Sequence, residues 1–287
     1  MGSRRFTALL LVAGCAGPEV AERGAAITNG RPALGDPAVV ALLSGGQLEC
    51  TGTLIADDIV LTAAHCVGDG RPDQVLFGSS VDQPVRIESV ASASPHPDFD
   101  PATLAHDLAL VRLACPVDLA PVPVLDRAFD GSFAGRPIRV VGFGADGAGG
   151  AGIKREGVTA IESFGPDWFR FAPLPSQTCF GDSGGPALLG LGATELVVGV
   201  TSTGDIDCAA YGLDVRVDPY VAGFVAPYVA GEARGLDPEC ATDPVAGGCA
   251  AAPGAGGAAG LFPIALALAA ARRARAIRFP AGKHTRR

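Results

Sequence analysis

The sequence predicts an all-β fold, either a barrel or a sandwich, and three observations support this prediction. Hydrophobic residues make up 48% of the 287 positions and charged residues 18%, which is ample for a packed core. The 40 glycines and 23 prolines are spread along the chain. Short apolar runs lie between them, namely VVALL, IVLTAA, LALVRL, RVVGF and ELVVGV. Runs of this length between turn-forming residues are typical of strands rather than helices.

Composition also restricts the function. The net charge of −8 gives no reason to expect a nucleic-acid partner. The histidines and cysteines do not cluster with the spacing of metal ligands, so we expect neither a metal nor another cofactor.

The first residues have the character of an export signal. MGSRRFTALLLVAGC, residues 1–15, combines two arginines, a short apolar core and small residues before Cys15. The core is too short to span a bilayer comfortably. LVAGC resembles the lipobox of bacterial lipoproteins, which implies lipidation of Cys15; an ordinary export signal is the alternative. Residues 16–26 are then expected to be a short propeptide.

The last residues differ from the rest of the chain. Residues 232–249 form a linker rich in glycine, proline and acidic residues, and residues 250–271 carry no charge before the basic run RRARAIR. An uncharged stretch of this length can span a membrane with its arginines on the cytoplasmic side. Cys249 followed by a weak hydrophobic segment and arginines resembles the sorting tails of myxobacterial surface proteins. We therefore expect residues 250–287 to anchor an exported protein at a bacterial envelope surface; a disordered tail of a secreted protein is the alternative.

Ser183 is the candidate nucleophile, in the run TCFGDSGGPALLG. The pattern G-x-S-x-G fits the nucleophile elbow of α/β-hydrolases, but that fold requires its histidine after the serine. Only His284 follows Ser183, so the base must be His65, His96 or His106.

The best candidate base lies in CTGTLIADDIVLTAAHC, where a strand leads into a short turn that carries His65. The cysteines at its two ends, Cys50 and Cys66, suit a hairpin closed by a disulfide. Downstream, HDLALVRL places Asp107 at the start of an apolar strand. We expect His106 to be a structural neighbour and His96 to lie on a solvated loop.

The motifs LTAAHC, DLALVRL and GDSGGP, in this order, resemble those of the chymotrypsin/trypsin-like serine proteases (the S1 family). ITNG, VVGFG and GVTSTG resemble the mature N-terminus, the strand that opens the second barrel and the strand that holds the substrate backbone. The resemblance covers residues 27–231. It implies two antiparallel six-stranded β-barrels with the active site in the cleft between them, closed by a short C-terminal helix. That helix corresponds to DPYVAGFVAPYVA, in which Pro227 should shorten or kink it.

The resemblance assigns roles to individual residues. His65 would be the general base, Asp107 would hold its imidazole, and Ser183 would attack the substrate. The N–H groups of Gly181 and Ser183 would form the oxyanion hole. Ser202 matches the serine that hydrogen-bonds the buried aspartate.

Activation in this family depends on a new amino terminus that pairs with a buried aspartate. Here these groups would be Ile27 and Asp182. The preceding residue is Ala26, neither Arg nor Lys, so we expect an elastase-like or signal-processing protease to cut between Ala26 and Ile27.

The substrate pocket is also assigned by resemblance. The neutral Gln177 would lie at its base, which predicts a preference for uncharged side chains before the cleaved bond. Gly204 and Gly212 would leave its walls open, and Phe180 would cover its rim. The expected pocket residues are Gln177, Thr178, Phe180, Ser202, Thr203, Gly204 and Gly212.

Cys179 and Cys208 match a family disulfide that joins the two pocket walls. Four cysteines then remain, which permit three pairings. If Cys15 is lipidated and Cys249 belongs to the tail, Cys115 and Cys240 form the remaining pair.

These observations predict an exported bacterial serine endopeptidase that acts on proteins or peptides. Two alternatives stay open: a protease-fold binding protein without catalysis, and an esterase that uses the same three residues.

Overall fold

A computed structural model describes residues 27–145, 150–171, 176–231 and Cys240. The predicted signal, the propeptide, the tail, Cys15 and Cys249 lie outside the described residues. Within them the chain forms thirteen strands. The first of these, β1 (Arg31–Pro32), is a short edge strand.

Six strands close into the first barrel in the order β2-β3-β4-β7-β6-β5. They are β2 (Val39–Ser44), β3 (Gln47–Ala56), β4 (Ile59–Thr62), β5 (Gln74–Phe77), β6 (Arg86–Pro95) and β7 (Ala109–Leu113). Leu42, Leu54, Ile59, Leu61 and Leu76 are among the fully buried side chains of this barrel. The predicted runs VVALL, IVLTAA and LALVRL therefore form strands here because closure buries their apolar side chains.

Six further strands form the second barrel. They are β8 (Pro137–Gly142), β9 (Arg155–Phe164), β10 (Trp168–Phe171), β11 (Pro186–Leu191), β12 (Thr194–Gly204) and β13 (Gly212–Arg216). Their order is β9-β10-β13-β12-β11-β8, and pairing of β8 with β9 closes the barrel. Phe133, Phe143, Phe169 and Phe171 are buried within it. All strand pairs of both barrels are antiparallel, so the predicted fold class is confirmed.

The C-terminal helix is present but differs in detail from the prediction. It has three parts, Asp218–Tyr220, Val221–Val225 and Ala226–Ala230, of which the middle part is a π-helical turn. Pro227 has no N–H for the carbonyl four residues earlier, and its ring would collide with that carbonyl in a regular α-helix. The wider turn just before Pro227 accommodates the ring, so the helix continues to Ala230 rather than ending early.

Among the described residues, no helix has the length and apolar character needed to cross a membrane.

Three disulfides join distant parts of the described chain. Cys50–Cys66 links β3 to a 3₁₀ turn (Ala64–Cys66) that follows β4. Cys179–Cys208 joins the loop before β11 to the loop before β13. Cys115–Cys240 fixes a residue beyond the C-terminal helix to the segment that follows β7. These are the pairs given in the sequence analysis.

A cluster of charges around Arg139 connects the segment before β2 to the second barrel. Its guanidinium donates to Asp36 at 2.7 and 2.8 Å, to Glu156 at 2.8 Å and to Glu195 at 2.5 and 3.1 Å. The Arg139 side chain is 19% exposed. The carboxylates raise the pKa of Arg139, with its hydrogen bonds to Asp36 as the main cause. One half-buried cation thus compensates three acidic side chains.

We predict that Arg139→Met lowers the free energy of unfolding by about 2–3 kcal/mol, because three neighbouring carboxylates would lose their shared cation. Chemical denaturation measures this change. The matched control is Arg86→Met, since the Arg86–Glu88 pair is more exposed and should change stability by less than about 1 kcal/mol. Equal effects of the two substitutions would contradict a structural role for the cluster.

Candidate active site

His65 and Asp107 meet because strands β4 and β7 pair with each other. Thr62, the last residue of β4, lies opposite Ala109, the first residue of β7. The turn after β4 and the residues before β7 therefore leave the barrel at the same edge. The chain order and the register together bring the imidazole to the carboxylate.

Asp107 is fully buried and accepts three hydrogen bonds. Its Oδ1 accepts from the His65 backbone N–H at 2.8 Å. Its Oδ2 contacts His65 Nδ1 at 2.7 Å and accepts from the Ser202 hydroxyl at 2.6 Å. A carboxylate oxygen only accepts, so Nδ1 carries the proton and Nε2 is left with a free lone pair. The arrangement fixes both the tautomer and the orientation of the ring.

The two other candidate histidines lie in a separate aromatic group. His106 has a left-handed backbone conformation (φ 56°), and its Nδ1 lies 2.9 Å from the Tyr220 hydroxyl. His96 stacks on His106 and packs edge-on against Tyr220 and Phe224 of the C-terminal helix. The expectation of a solvated loop for His96 is therefore wrong in part, because its ring is half-buried among aromatic rings. Burial, helped by the neighbouring His106, lowers the pKa of His96.

Ser183 belongs to the loop before β11, and its backbone is tied to the first barrel. The Ser183 carbonyl accepts from the Thr51 N–H at 2.8 Å. The following Gly184 has φ +80°, and a Cβ on it would lie 2.0 Å from Thr62 Oγ1. This close approach requires glycine, and it sets the serine at the boundary of the two barrels.

The Gly181 and Ser183 N–H groups are available for a ligand. The neighbouring N–H groups are used internally: that of Asp182 binds the Cys179 carbonyl, and that of Gly184 binds the Thr201 carbonyl. Within the described ranges, no acceptor meets the N–H of Gly181 or of Ser183. These two backbone donors of the loop are thus left without a partner among the described residues.

Asp182 is fully buried beside Ile27. Its carboxylate accepts from the N–H groups of Gly144 at 2.8 Å and Cys179 at 2.9 Å, and from the backbone N–H of Ile27. Burial raises the pKa of Asp182 to about 6, and the three N–H groups oppose this rise. Ile27 is also fully buried, and the next residue, Thr28, pairs with Gln177.

A cavity of about 340 Å³ lies between His65 and the loop of Ser183. Five of the predicted pocket residues line it: Thr178, Phe180, Ser202, Thr203 and Gly204. Sequence reasoning missed three further lining residues, Thr201, Asp205 and Ile206, whereas Cys179 and Cys208, which also line the cavity, were expected to join its two walls. Phe180 and Ile206 are strongly exposed there and form an apolar rim, as the sequence suggested for Phe180 alone.

Two predicted pocket residues, Gln177 and Gly212, lie behind the cavity wall instead of in it. A Cβ on Gly204 would lie 3.5 Å from Gln177 Nε2 and from the Gly212 Cα, and 2.8 Å from the Tyr211 carbonyl oxygen. Backbone from two adjacent strands therefore closes the wall at this point. Gln177 itself is 1% exposed.

Asp205 organises the loop that follows Gly204. Its carboxylate accepts from the N–H groups of Ala209, Ala210 and Tyr211 at 2.7 to 3.2 Å. These bonds lower the pKa of Asp205, with the Tyr211 N–H as the largest contribution. No sequence motif indicated this contact, although an aspartate followed by a small-residue loop is a common turn-forming arrangement.

The described residues contain one group of possible metal ligands, Cys50, His65 and Cys66. The two cysteines form a disulfide, so their sulfurs are not thiolates that could bind a metal.

The family model described as Trypsin matches residues 27–167 and 169–223. The chain belongs to the trypsin family. Among curated trypsin-like relatives, human serine protease 56 is 34% identical over 59% of this chain, and a trypsin from Saccharopolyspora erythraea is 30% identical over 61%. The alignment covers 84% of the bacterial trypsin but only 32% of serine protease 56, so the chain spans about a third of the latter. Mouse neuropsin, described as a serine protease expressed in the limbic system, has the same fold: the TM-score is 0.61 at 24% identity, covering 70% of this chain and 99% of neuropsin.

We predict that Gly184→Ala lowers the free energy of unfolding by roughly 2–4 kcal/mol, because the new Cβ would overlap Thr62 in a backbone conformation that alanine disfavours. Thermal unfolding followed by circular dichroism measures the effect. Gly190→Ala is the control, since its Cβ would meet nothing within 4 Å and should change stability by less than about 0.5 kcal/mol. A Gly184→Ala protein as stable as the control would contradict the close contact between the barrels.

Proposed function

We propose that this member of the trypsin family is an exported serine endopeptidase in which His65, Asp107 and Ser183 carry the reaction. The supporting observation is the contact of His65 Nδ1 with the buried Asp107 carboxylate. His65 and Ser183 line the same cavity. A serine hydroxyl is a poor nucleophile at neutral pH and needs a base of this kind.

In the proposed reaction, His65 Nε2 removes the Ser183 proton as Oγ attacks the carbonyl carbon of the cleaved bond. The N–H groups of Gly181 and Ser183 stabilise the oxyanion that forms. When the C–N bond breaks, His65 gives its proton to the leaving amine, and an acyl-enzyme remains. Water then attacks the ester with His65 again as base, which releases the acid and restores Ser183. Asp107 stabilises the protonated imidazole in both halves of the reaction.

The proposed substrates are proteins or peptides with an uncharged side chain before the cleaved bond. Gln177, which the resemblance assigns to the base of the pocket, is neutral. Gly204 has no side chain that would narrow the pocket. A peptide-library profile dominated by Arg or Lys would contradict this preference.

The proposed location is a bacterial envelope surface, with Cys15 or residues 250–287 as the anchor, or the medium. The three disulfides fit an oxidising, extracellular compartment.

Ser183→Ala should abolish labelling by a fluorophosphonate probe, because labelling requires the hydroxyl activated by His65.

Asp107→Asn should reduce kcat/KM about 10⁴-fold with the fold intact, because the wrong imidazole nitrogen would then carry the proton. Gel fluorescence and peptide hydrolysis measure the two effects, with the exposed Asp126→Asn as an unaffected control. A wild-type protein that neither reacts with the probe nor cleaves peptides would favour the binding-protein alternative, and cleavage of esters alone would favour the esterase.

Activation is proposed to free the amine of Ile27, which would pair with Asp182 inside the protein. Burial of both residues supports this pairing, because an ammonium there would compensate a carboxylate that burial otherwise disfavours. Mass spectrometry of the active form isolated from membranes should find Ile27 as its first residue. An active protein that begins at Cys15 would refute the proposed cut between Ala26 and Ile27.

A further inference from the structure

Thr51 of β3 contacts the Ser183 loop through both its backbone and its side chain. Its N–H donates to the Ser183 carbonyl at 2.8 Å, and its hydroxyl donates to the Gly181 carbonyl at 2.8 Å. Gly181 and Ser183 are the two residues whose own N–H groups are proposed to stabilise the oxyanion. One residue of the first barrel therefore holds both residues that would supply these donors.

The direction of the hydroxyl bond follows from the other partner of Thr51 Oγ1. This oxygen accepts from the Phe143 N–H at 3.1 Å, so its single hydrogen is free for the Gly181 carbonyl, which can only accept. Thr51 is fully buried, and its own carbonyl accepts from the Thr62 hydroxyl at 2.9 Å. Because a buried group that loses its hydrogen bond is costly, the hydroxyl keeps this orientation.

The Gly181 and Ser183 N–H groups belong to two peptide groups that are separated by one other. In the first peptide group, the Phe180 carbonyl accepts from the Ala145 N–H at 2.6 Å. In the third, the Asp182 carbonyl accepts from the N–H three residues further on at 2.8 Å. Backbone hydrogen bonds thus hold both outer peptide groups.

The middle peptide group joins Gly181 to Asp182, and a side chain holds it. Its N–H donates to the Cys179 carbonyl at 3.0 Å, and its carbonyl accepts from the Thr51 hydroxyl. Gly181 has φ +92°, and glycine tolerates many other conformations, so this peptide group could turn if its carbonyl lost its partner. Of the bonds described for the three peptide groups, only the one from Thr51 comes from a side chain, so a single substitution can remove it.

We propose that Thr51 is a positioning residue for the reaction: its buried hydroxyl holds the middle peptide group so that the N–H groups of Gly181 and Ser183 point at the same substrate oxygen. This inference rests on the proposed endopeptidase function. Thr51 itself does not touch the substrate in this scheme.

The proposed effect concerns the transition state more than substrate binding. Donors stabilise the oxyanion only when they lie about 2.7–3.1 Å from the position that this oxygen takes after the attack. A turn of the middle peptide group would move one donor out of this range. An interaction that forms only in the transition state changes kcat and leaves the binding of the substrate nearly unaltered.

The test compares kcat and KM of the mature active protein on peptide amides. Thr51→Val keeps the shape of the side chain but removes the hydroxyl, so kcat should fall about 10- to 100-fold while KM changes less than about threefold. Thr51→Ser keeps the hydroxyl, so its kcat should stay within about threefold of wild type. Thr53→Val is the matched control, because Thr53 is a buried residue of the same strand whose hydroxyl has no partner among the described residues, and it should leave both constants unchanged.

Inhibition by a peptide trifluoromethyl ketone gives a second readout. Ser183 Oγ adds to the ketone carbon, the Ser183 proton goes to His65, and the ketone oxygen becomes an oxyanion. Thr51→Val should weaken this inhibition by about the factor by which kcat falls. Inhibition by the matching peptide alcohol, which forms no adduct, should not change. A purely structural role of Thr51 would weaken the inhibition by both compounds equally.

Equal kcat values for wild type and Thr51→Val, or a rise in KM with kcat unaltered, would overturn the inference. If Thr51→Val does not fold, Thr51→Ser and Thr51→Ala make the same comparison, since both lack the methyl group and differ only in the hydroxyl. Loss of the fold in Thr51→Ala as well would assign the hydroxyl to stability and would also overturn the inference.

Fluorophosphonate labelling of wild type separates this inference from the function on which it rests. A wild-type protein that is labelled and cleaves peptides, together with any of the contrary results for Thr51, overturns only the role of Thr51. Absence of both labelling and peptide cleavage in wild type overturns the proposed function and the role of Thr51 with it.

Discussion

The site depends on one buried charge. Asp107 lies at the edge of the first barrel with no exposed surface, and a carboxylate there is tolerated only because N–H and O–H donors surround it. One donor is the His65 ring, which the carboxylate therefore orients. Another is Ser202 of the second barrel, so the same oxygen that holds the imidazole also connects the two halves of the protein. Because a buried carboxylate without donors would be costly, the His65 ring is held in the orientation that donates to Asp107.

The second constraint is the contact of the Ser183 loop with the first barrel. Thr51 binds the Ser183 carbonyl through its N–H, and its hydroxyl donates to the Gly181 carbonyl at 2.8 Å. Residues of β3 thus hold both ends of the segment that offers the two free N–H groups. A nucleophile carried by one barrel is positioned by the other, which explains why the loop contains glycine where the backbones meet.

Local apolar patterns predicted a barrel or a sandwich, and the resemblance of three short motifs to those of the S1 family implied the two barrels and the neighbourhood of the site. Apolar runs predict strands, and three short motifs carry His65, Asp107 and Ser183. The π turn before Pro227, the aromatic packing of His96 and the position of Gln177 behind the wall were not predicted. Each depends on which residues face each other across the fold, and a single sequence does not contain that register. Asp214 is the clearest case: in GLDVR it is an ordinary charged residue, yet in the sheet it pairs with Thr201 and Phe169 and is fully buried.

The bond between Cys115 and Cys240 changes how mechanical load would travel through the molecule. A pull on the polypeptide beyond residue 240, as from an attachment to a cell surface, would pass through sulfur to the end of β7. That path does not pass through the C-terminal helix. Even a cut between residues 232 and 239 would leave Cys240 covalently joined to the protein, because a covalent path around the break persists.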